Sequence, residues 1–341
     1  AAEVMQQIAG IALCLLVLDS EPARTLIPDV GGLCYVAAAV AACGDMPRVL
    51  AEVAGGVALL LSCTASASAV RKELIGGGAL SALVAALRPG DPCKVLPVLT
   101  ILAASERDAV HSALQDASAV PLLLQAADGT GCTVGDRSSG TAEGQALGLL
   151  AGLAGEADEE TATAVVVAVV RIMKRYDEQG AVQLGGCRVL CACAKSLEPE
   201  VLRMLGCAAA VASAVTHCGK NMPLTRSAIA FLRSCGEDAV DARVVAQAAV
   251  AAIRHFPRIL PVVLDACAVL LAVAEDAGGQ AAVVGTGAVD VLIGTVQRHA
   301  SKRELCMMVW KVLHKLRDHL SEDQRISSRL GEFVGDVDDV D

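Results

Sequence analysis

Aromatic residues are scarce in this chain. Only one Trp, two Tyr and three Phe occur among its 341 residues, whereas globular cores normally rely more on these large side chains. A single large globular core is therefore disfavoured. The chain is nevertheless 54% hydrophobic, mainly through Ala, Val, Leu and Cys. Such small apolar side chains suit helices packed at close range, so the composition favours an all-α structure.

Charged residues are also few, and they are biased towards acid. They make up 19% of the chain, and the formal net charge is −10. A negative potential opposes loose binding to a phosphate backbone. We therefore expect no nucleic acid as the main partner.

No long apolar run is free of polar residues. The longest uncharged stretch, 53–70, has the length of a membrane span, but it contains two Gly and several Ser and Thr residues. It also falls into register with the repeat described next, so we expect no membrane span. The first residues lack an initiator Met and the pattern of a secretion signal. We expect a fragment or a processed chain.

One sequence pattern recurs along the chain. An apolar helix ends in a Leu-x-x-(Leu/Cys/Val)-small step, and a polar break and a Gly-Ala-Val-like turn follow. The first Leu of the step is found at Leu15, Leu60, Leu99, Leu150, Leu190, Leu232, Leu270 and Leu313. The intervals average roughly 43 residues, inside the roughly 40 to 47 typical of armadillo and HEAT arrays. These anchors predict about eight units.

The second half of the unit recurs independently. Residues 78–84, 118–124 and 287–293 are versions of one segment, Gly-Ala-Val/Leu followed by an apolar helix, and 31–33 and 207–211 are weaker versions. Small residues at this step allow the chain to turn sharply. A single helical hairpin cannot bury its apolar face alone, so we expect neighbouring units to stack and share a core.

On these residues the chain resembles the armadillo repeat family, whose units carry a Gly-Ala-(Val/Leu)-Pro-x-Leu-Val step after the helix break. The resemblance covers nearly the whole chain. It implies a right-handed α-solenoid superhelix of armadillo type over residues 1–330. One longer interval coincides with the Gly-rich segment 128–140, which we expect to be an exposed insertion loop. The acidic residues 331–341 are predicted to form a disordered tail.

The resemblance also implies a test of binding mode. Family members that clamp extended peptides carry an Asn before the final Leu of each third helix, and often a Trp four residues earlier. The Asn positions are occupied here by Val17, Ser62, Ile101, Gly152, Ala192, Ser234, Ala272 and Lys315, and the Trp positions by Leu13, Ala58, Pro97, Gly148, Arg188, Ala230, Ala268 and Lys311. None of these positions holds Asn or Trp. This departure from the family pattern argues against binding of an extended peptide in the nuclear-import manner.

What remains on the predicted groove helices is a sparse set of cations. The candidate partner-binding residues are Arg188, Lys195, Arg226, Arg233, Lys311 and Lys315. On an acidic molecule such a set fits an acidic or helical partner segment. The alternative is an ordinary solvated face.

No motif predicts catalysis or nucleotide binding. The glycines at 285 and 287, and the series Gly144, Gly148 and Gly152, are not preceded by a predicted strand, which a phosphate-binding turn requires. We interpret the Gly series as close helix packing. We find no combination of nucleophile, base and orienting acid. We expect no catalytic residues, no cofactor and no enzymatic activity.

The fourteen cysteines raise the question of a metal site. Cys187, Cys191 and Cys193, with His217 and Cys218, have poor spacing for zinc, because structural sites usually present paired ligands on short loops. Most cysteines lie within apolar helical runs. We therefore expect them to be reduced, buried and free of metal, which indicates a cytoplasmic protein.

Two functions remain open, and a third is disfavoured. The first is a non-enzymatic scaffold or adaptor that binds a protein partner on its concave face. The second is a structural subunit embedded permanently in a larger cytoskeletal or ciliary assembly, which the high apolar content favours mildly. An enzyme would require a cluster of polar residues in a pocket, and the sequence offers none.

Overall fold

The computed structural model describes residues 2–23, 27, 33–43, 46–62, 67–76, 78–87, 92–129, 141–234 and 242–319. Within these ranges the regular elements are helices, and no strand is present. The predicted all-α class is confirmed. The chain divides into two compact units, Ala1–Glu156 and Ala157–Asp341. Residues 130–140 of the predicted insertion loop and the predicted tail, 331–341, lie outside the described residues.

The first unit begins with a long apolar helix and continues through shorter ones. Its helices are α1 (Ala2–Asp19), α2 (Leu33–Ala42), α3 (Pro47–Ser62), α4 (Ala67–Gly76), α5 (Ala79–Ala85), α6 (Pro92–Ser105), α7 (Arg107–Asp116), α8 (Val120–Ala127) and α9 (Thr141–Ala154). Two of them, α3 and α6, begin at a Pro, whose missing N–H costs nothing at the first helical position.

The helices of the second unit are between 6 and 17 residues long. Its helices are α10 (Glu159–Arg175), α11 (Gly180–Cys193), α12 (Pro199–Met204), α13 (Cys207–Cys218), α14 (Met222–Ser234), α15 (Ala242–His255), α16 (Leu260–Val273), α17 (Ala277–Gly285), α18 (Ala288–Arg298) and α19 (Arg303–Leu316). A single 3₁₀ turn, Arg317–His319, follows α19.

Helix α10 illustrates how the sequence defines an element. Asp158 precedes it, and its side chain accepts a hydrogen bond of 2.8 Å from the Thr161 N–H, which satisfies one of the free donors at a helix start. Two glutamates occupy the first turn, and Lys174 and Arg175 occupy the last, as the helix dipole favours. Apolar residues at helical spacing are buried along one side. Sequence alone therefore defines both ends and the buried side of α10.

The predicted Gly-Ala-Val turns are left-handed backbone turns. Gly78, Gly206 and Gly287 stand directly before α5, α13 and α18 with φ values of 72°, 69° and 71°. The equivalent residue before α8 is Ser118, with φ of 50°. Glycine adopts this conformation without steric cost, whereas a side chain makes it unfavourable. The repeated step thus has a local physical cause, and Ser118 is the described copy that lacks the favoured residue.

Replacing Ser118 by Gly should stabilise the protein by about 1 kcal/mol, because the left-handed conformation costs a residue with a Cβ roughly 1 to 2 kcal/mol. Urea unfolding followed by circular dichroism measures the change. The reverse substitution, Gly206→Ser, should destabilise by a similar amount, since nothing lies within 4 Å of a Cβ built at Gly206. A loss of stability in Ser118→Gly would contradict the conformational explanation.

The eight anchor leucines lie on eight helices that we call the anchor helices: α1, α3, α6, α9, α11, α14, α16 and α19. In the first unit α1 packs on α3, α3 on α6 and α6 on α9. In the second unit α11 packs on α14, α14 on α16 and α16 on α19. Within each unit, therefore, residues about 43 apart occupy successive positions in one series of packed helices.

Close packing occurs at some glycines and not at others. A Cβ built on Gly56 of α3 would lie 2.5 Å from the carbonyl oxygen of Cys14 in α1, and one on Gly186 of α11 would lie 2.5 Å from the Met173 side chain. At Gly148 and Gly152 of α9, however, nothing lies within 4 Å. The prediction that this series marks close helix packing is wrong for these two glycines, because no neighbouring atom reaches them.

Candidate functional site

The six predicted partner-binding cations are exposed and belong to the second unit. Arg188 lies on α11, Lys195 follows its end, Arg226 and Arg233 lie on α14, and Lys311 and Lys315 lie on α19. All six therefore belong to anchor helices or to the residues directly after them. The set is distributed over three helices, and the local contacts determine which members act together.

Two of the six cations already have carboxylate partners. Arg233 Nη1 lies 2.5 Å from Asp265 Oδ1 on α16, and Lys315 Nζ lies 2.6 Å from Glu275 Oε2 just beyond α16. Each pair joins successive anchor helices, as does Lys94 with Glu52 between α6 and α3. Because these pairs are exposed, each contributes little to stability. The pairs at Arg233 and Lys315 nevertheless neutralise two cations that we predicted to be available to a partner.

Sequence reasoning missed the acidic partners of these cations. The paired residues are separated by 32, 40 and 42 positions in the chain, which is close to one repeat. Opposite charges one repeat apart on anchor helices were the available signal. This spacing identifies Glu275 and Glu52. The separation of Arg233 and Asp265 is about ten residues shorter than the repeat.

Three of the cations lie close in sequence to one contact between α11 and α14. The Cys191 thiol donates a hydrogen bond of 3.3 Å to the Ser227 carbonyl oxygen. Arg188 precedes Cys191 by one helical turn, Lys195 follows it by about one turn, and Arg226 precedes Ser227 in the chain. Burial raises the pKa of the Cys191 thiol to about 11, and the Lys195 charge acts in the opposite direction. We call Arg188, Lys195 and Arg226 the cation cluster.

The cation cluster differs from the paired residues in one respect. None of its three side chains forms an ion pair within the part of the chain that the structure describes. Next to the cluster, an open depression of about 390 Å³ lies between α14 and α16, lined by Ala230, Arg233, Ser234 and Asp265. The surface therefore combines three positive charges that have no ion-pair partner among the described residues with a shallow, open recess, which fits an acidic chain segment rather than an enclosed small molecule.

The cysteines form no metal-binding group among the described residues. Cys187 and Cys193 are buried, as predicted, and Cys191 is half-buried. Burial also raises the pKa of Cys267 to about 12, so this thiol stays uncharged at neutral pH. The prediction that all cysteines are reduced and buried is wrong at several positions. Cys191 and Cys218 are only half-buried, Cys34 is exposed, and Cys93 is disulfide-bonded.

In the described ranges, no individual helix combines the length and the apolar character that crossing a bilayer requires. The helices α17 and α18 reach both only when taken together, and the chain bends by 73° between them.

Comparison with known proteins yields structural similarity and no family. No family model and no curated protein matches the sequence. The chain is similar to the crystal structure of an engineered protein from the Northeast Structural Genomics Consortium, with a TM-score of 0.62 and 18% identity, over 99% of this chain and 82% of that one. A second engineered protein from the same source has a TM-score of 0.37 at 18% identity, over 82% of this chain and 96% of that one. The first similarity is one of helical fold alone.

Proposed function

We propose that the chain is an armadillo-type right-handed α-solenoid of about eight repeats and serves as a non-enzymatic scaffold or adaptor for another protein. Two observations support this assignment. The anchor helices pack in chain order within each unit, and left-handed turns recur at equivalent steps of the repeat. In repeat proteins each unit contacts mainly its neighbours, and stacking creates an extended concave surface for partners.

The cation cluster is the observation that carries the binding site. Its three positive charges, which have no ion-pair partner among the described residues, lie within one helical turn in sequence of the Cys191–Ser227 contact, on a molecule of net charge −10. A partner segment rich in carboxylates complements this surface, because opposite potentials steer association and determine register. Arg233 and Lys315 take a smaller part, since Asp265 and Glu275 neutralise them. Lys311 on α19 is exposed and has no ion-pair partner among the described residues, so it is a further candidate contact.

Net charge and cysteine state bear on the class of partner and on the cellular location of the protein. The acidic net charge argues for a protein partner rather than nucleic acid. Most of the described cysteines are free, which supports a cytoplasmic protein, whereas the disulfide at Cys93 does not. No cofactor or metal enters the proposed function.

Reversing the charge of the cation cluster should abolish most of the binding of an acidic segment. The probe is a short fluorescent poly-Glu peptide, and binding is measured by fluorescence anisotropy at several salt concentrations. The variant Arg188→Glu, Lys195→Glu, Arg226→Glu should bind at least about tenfold more weakly than the original chain, a change of roughly 1.4 kcal/mol. The affinity of the original chain should fall with added salt.

A matched control separates local contact from net charge. Lys220, Arg243 and Arg258 are exposed cations of the same unit that lie outside the anchor helices. Their triple replacement by Glu changes the net charge equally, but the Debye length of about 8 Å at physiological salt limits its effect at the cluster. Equal weakening in both variants would mean that only the net charge matters, and the assignment of the site would then be wrong.

The alternative function is a structural subunit embedded in a larger cytoskeletal or ciliary assembly. Exposed apolar residues on α1, among them Ile8 and Leu16, favour it, because contiguous apolar surface marks an interface. Affinity capture from the source cell distinguishes the two functions. An adaptor exchanges its partner on dilution, whereas an embedded subunit is recovered in a stable complex of fixed composition.

A further inference from the structure

An open depression of the first unit lies between α4, α5 and α7. Its volume is about 490 Å³, within the roughly 300 to 1,000 Å³ typical of ligand-binding pockets. The apolar part of its lining consists of Ile75, Leu80, Ala109 and Ala113. The three helices are interior members of the unit, with described helices before and after them in the chain. We call this feature the α7 depression.

Three polar side chains also line the α7 depression. They are Ser81, Ser112 and Asp116, and all three are exposed. Asp116 is the one charged residue among the described residues of the lining. Within the described ranges none of the three side chains has a hydrogen-bond or ion-pair partner. One carboxylate and two hydroxyls are therefore available to donors from outside the molecule.

The position of Asp116 in its helix strengthens the negative potential of the depression. Asp116 is the last residue of α7, and the C-terminal end of a helix carries a partial negative charge that favours cations. The last turn of α7 contains no basic residue, whereas that of α10 contains Lys174 and Arg175. Helix α5 contains no charged residue. A cation is thus missing where a helix end and a carboxylate both favour one, and such a broken local rule points to a functional site.

We propose that the α7 depression binds an arginine side chain carried by a segment of another protein. A guanidinium group has five N–H donors in a planar fork and pairs with a carboxylate through two parallel bonds. Asp116 accepts two of these donors, and the hydroxyls of Ser81 and Ser112 are acceptors for others. The aliphatic stem of the arginine packs on Ala109 and Ala113, as such stems do on apolar surfaces.

The same lining disfavours other occupants. An acidic segment is repelled by Asp116 and by the end of α7. A lysine carries a single point charge with three donors and lacks the planar fork, so it fits the carboxylate less well. The volume leaves room for an apolar residue next to the arginine, against Ile75 and Leu80. The site takes the opposite charge from the cation cluster and belongs to the other unit, so either site can fail without the other.

A short peptide tests the site. The probe is a capped Leu-Ala-Arg-Leu-Ala peptide with a neutral fluorescent label, and binding to the full chain is followed by fluorescence anisotropy up to roughly 500 μM protein, which half-saturates a site with a Kd of that order. Control peptides replace the arginine by lysine or by citrulline, which keeps the shape and removes the charge. Circular dichroism confirms that each protein variant is folded.

Two pairs of matched variants locate the binding. Asp116→Asn removes the carboxylate, and Asp108→Asn makes the same charge change at an exposed residue of α7 outside the lining. Ser112→Trp fills the depression, and Gln115→Trp adds the same ring at an exposed position that does not line it.

We expect Asp116→Asn to weaken binding of the arginine peptide at least about fivefold, because the charge-assisted bonds are lost, and Ser112→Trp to abolish it. Asp108→Asn and Gln115→Trp should change it by less than about twofold, since exposed charges are screened by salt. The lysine peptide should bind more weakly, and the citrulline peptide as weakly as the arginine peptide binds Asp116→Asn.

Four results would overturn the proposal. The first is no binding of the arginine peptide. The second is equal weakening by Asp116→Asn and Asp108→Asn, which would mean that only net charge matters. The third is full binding to Ser112→Trp, which would place the arginine outside the depression. The fourth is tighter binding after Arg88→Ala or Arg137→Ala, two positions outside the described residues, because an arginine of the chain itself would then be the occupant.

Discussion

Replacing Gly56 by Ala should destabilise the protein by about 2 kcal/mol, whereas the same change at the adjacent Gly55 should stabilise it. A Cβ at Gly56 would lie 2.5 Å from the Cys14 carbonyl oxygen, a backbone atom that cannot move aside alone. Overpacking of this kind typically costs about 1 to 3 kcal/mol, and more where backbone must shift. At Gly55 the nearest atom is 3.5 Å away at the end of the Leu18 side chain, so Ala gains about 1 kcal/mol of helix propensity.

Urea unfolding of the two variants provides the comparison, with circular dichroism at low denaturant to confirm that both fold. Because the residues are neighbours in α3, helix propensity is the same in both, and the difference between the two variants measures the contact of α3 with α1. Equal stability changes at the two positions would contradict the close approach of these helices.

The second large effect is expected at Gln183, which is 1% exposed on α11. Its Nε2 donates hydrogen bonds of 2.8 Å to the carbonyl oxygens of Met173 and Tyr176. These carbonyls lie at the C-terminal end of α10, where intrahelical donors are absent, and of the two only the Tyr176 oxygen also accepts from a backbone N–H, that of Gln179. Gln183→Met keeps the volume but removes both donors. An unpaired buried polar group costs about 1 to 3 kcal/mol, and only the Met173 carbonyl loses its donor completely, so we expect a loss of roughly 2 kcal/mol.

The control for this prediction is Gln115→Met in the first unit. Gln115 Nε2 also donates a hydrogen bond outside its own helix, to Glu156 Oε2 at 2.6 Å, but both side chains are exposed. Water replaces such a bond, so the change should stay within about 0.5 kcal/mol. Both free energies come from urea unfolding monitored by circular dichroism. A similar loss in the two variants would show that burial of the Gln183 bonds is not what stabilises the end of α10.

The helical class and the turns could be predicted because their causes are local. Gly78 and Gly287 are favoured at their turns whatever surrounds them, since the left-handed backbone itself favours glycine. The anchor leucines are similarly predictable, because helical spacing of apolar residues creates a side that must be buried. Six of the eight first leucines are buried, and Leu15 and Leu313 are the exceptions.

Features that depend on an opposing element could not be predicted. Gly56 and Gly148 are alike in sequence, yet a backbone carbonyl faces one and open space the other. Leu15 and Leu60 occupy the same repeat position, but only Leu60 has a covering neighbour. In the candidate site, the exposure of all six cations followed from the pattern. The pairing of Arg233 with Asp265 did not, because it depends on how α16 is positioned beside α14.

The packing of each helix on its neighbours in the chain affects how the protein unfolds. In the described residues, the substantial helix contacts join helices no more than three places apart in chain order. Unfolding of one helix therefore directly removes contacts only from helices close to it in the chain. Chains organised in this way open segment by segment, and amide hydrogen exchange then differs between segments instead of reporting one global event. Fraying should begin at helices with few buried residues, such as α17, where Gly279 and Val283 are the buried ones. A ligand bound at such a helix would also protect amides in the helices packed on it.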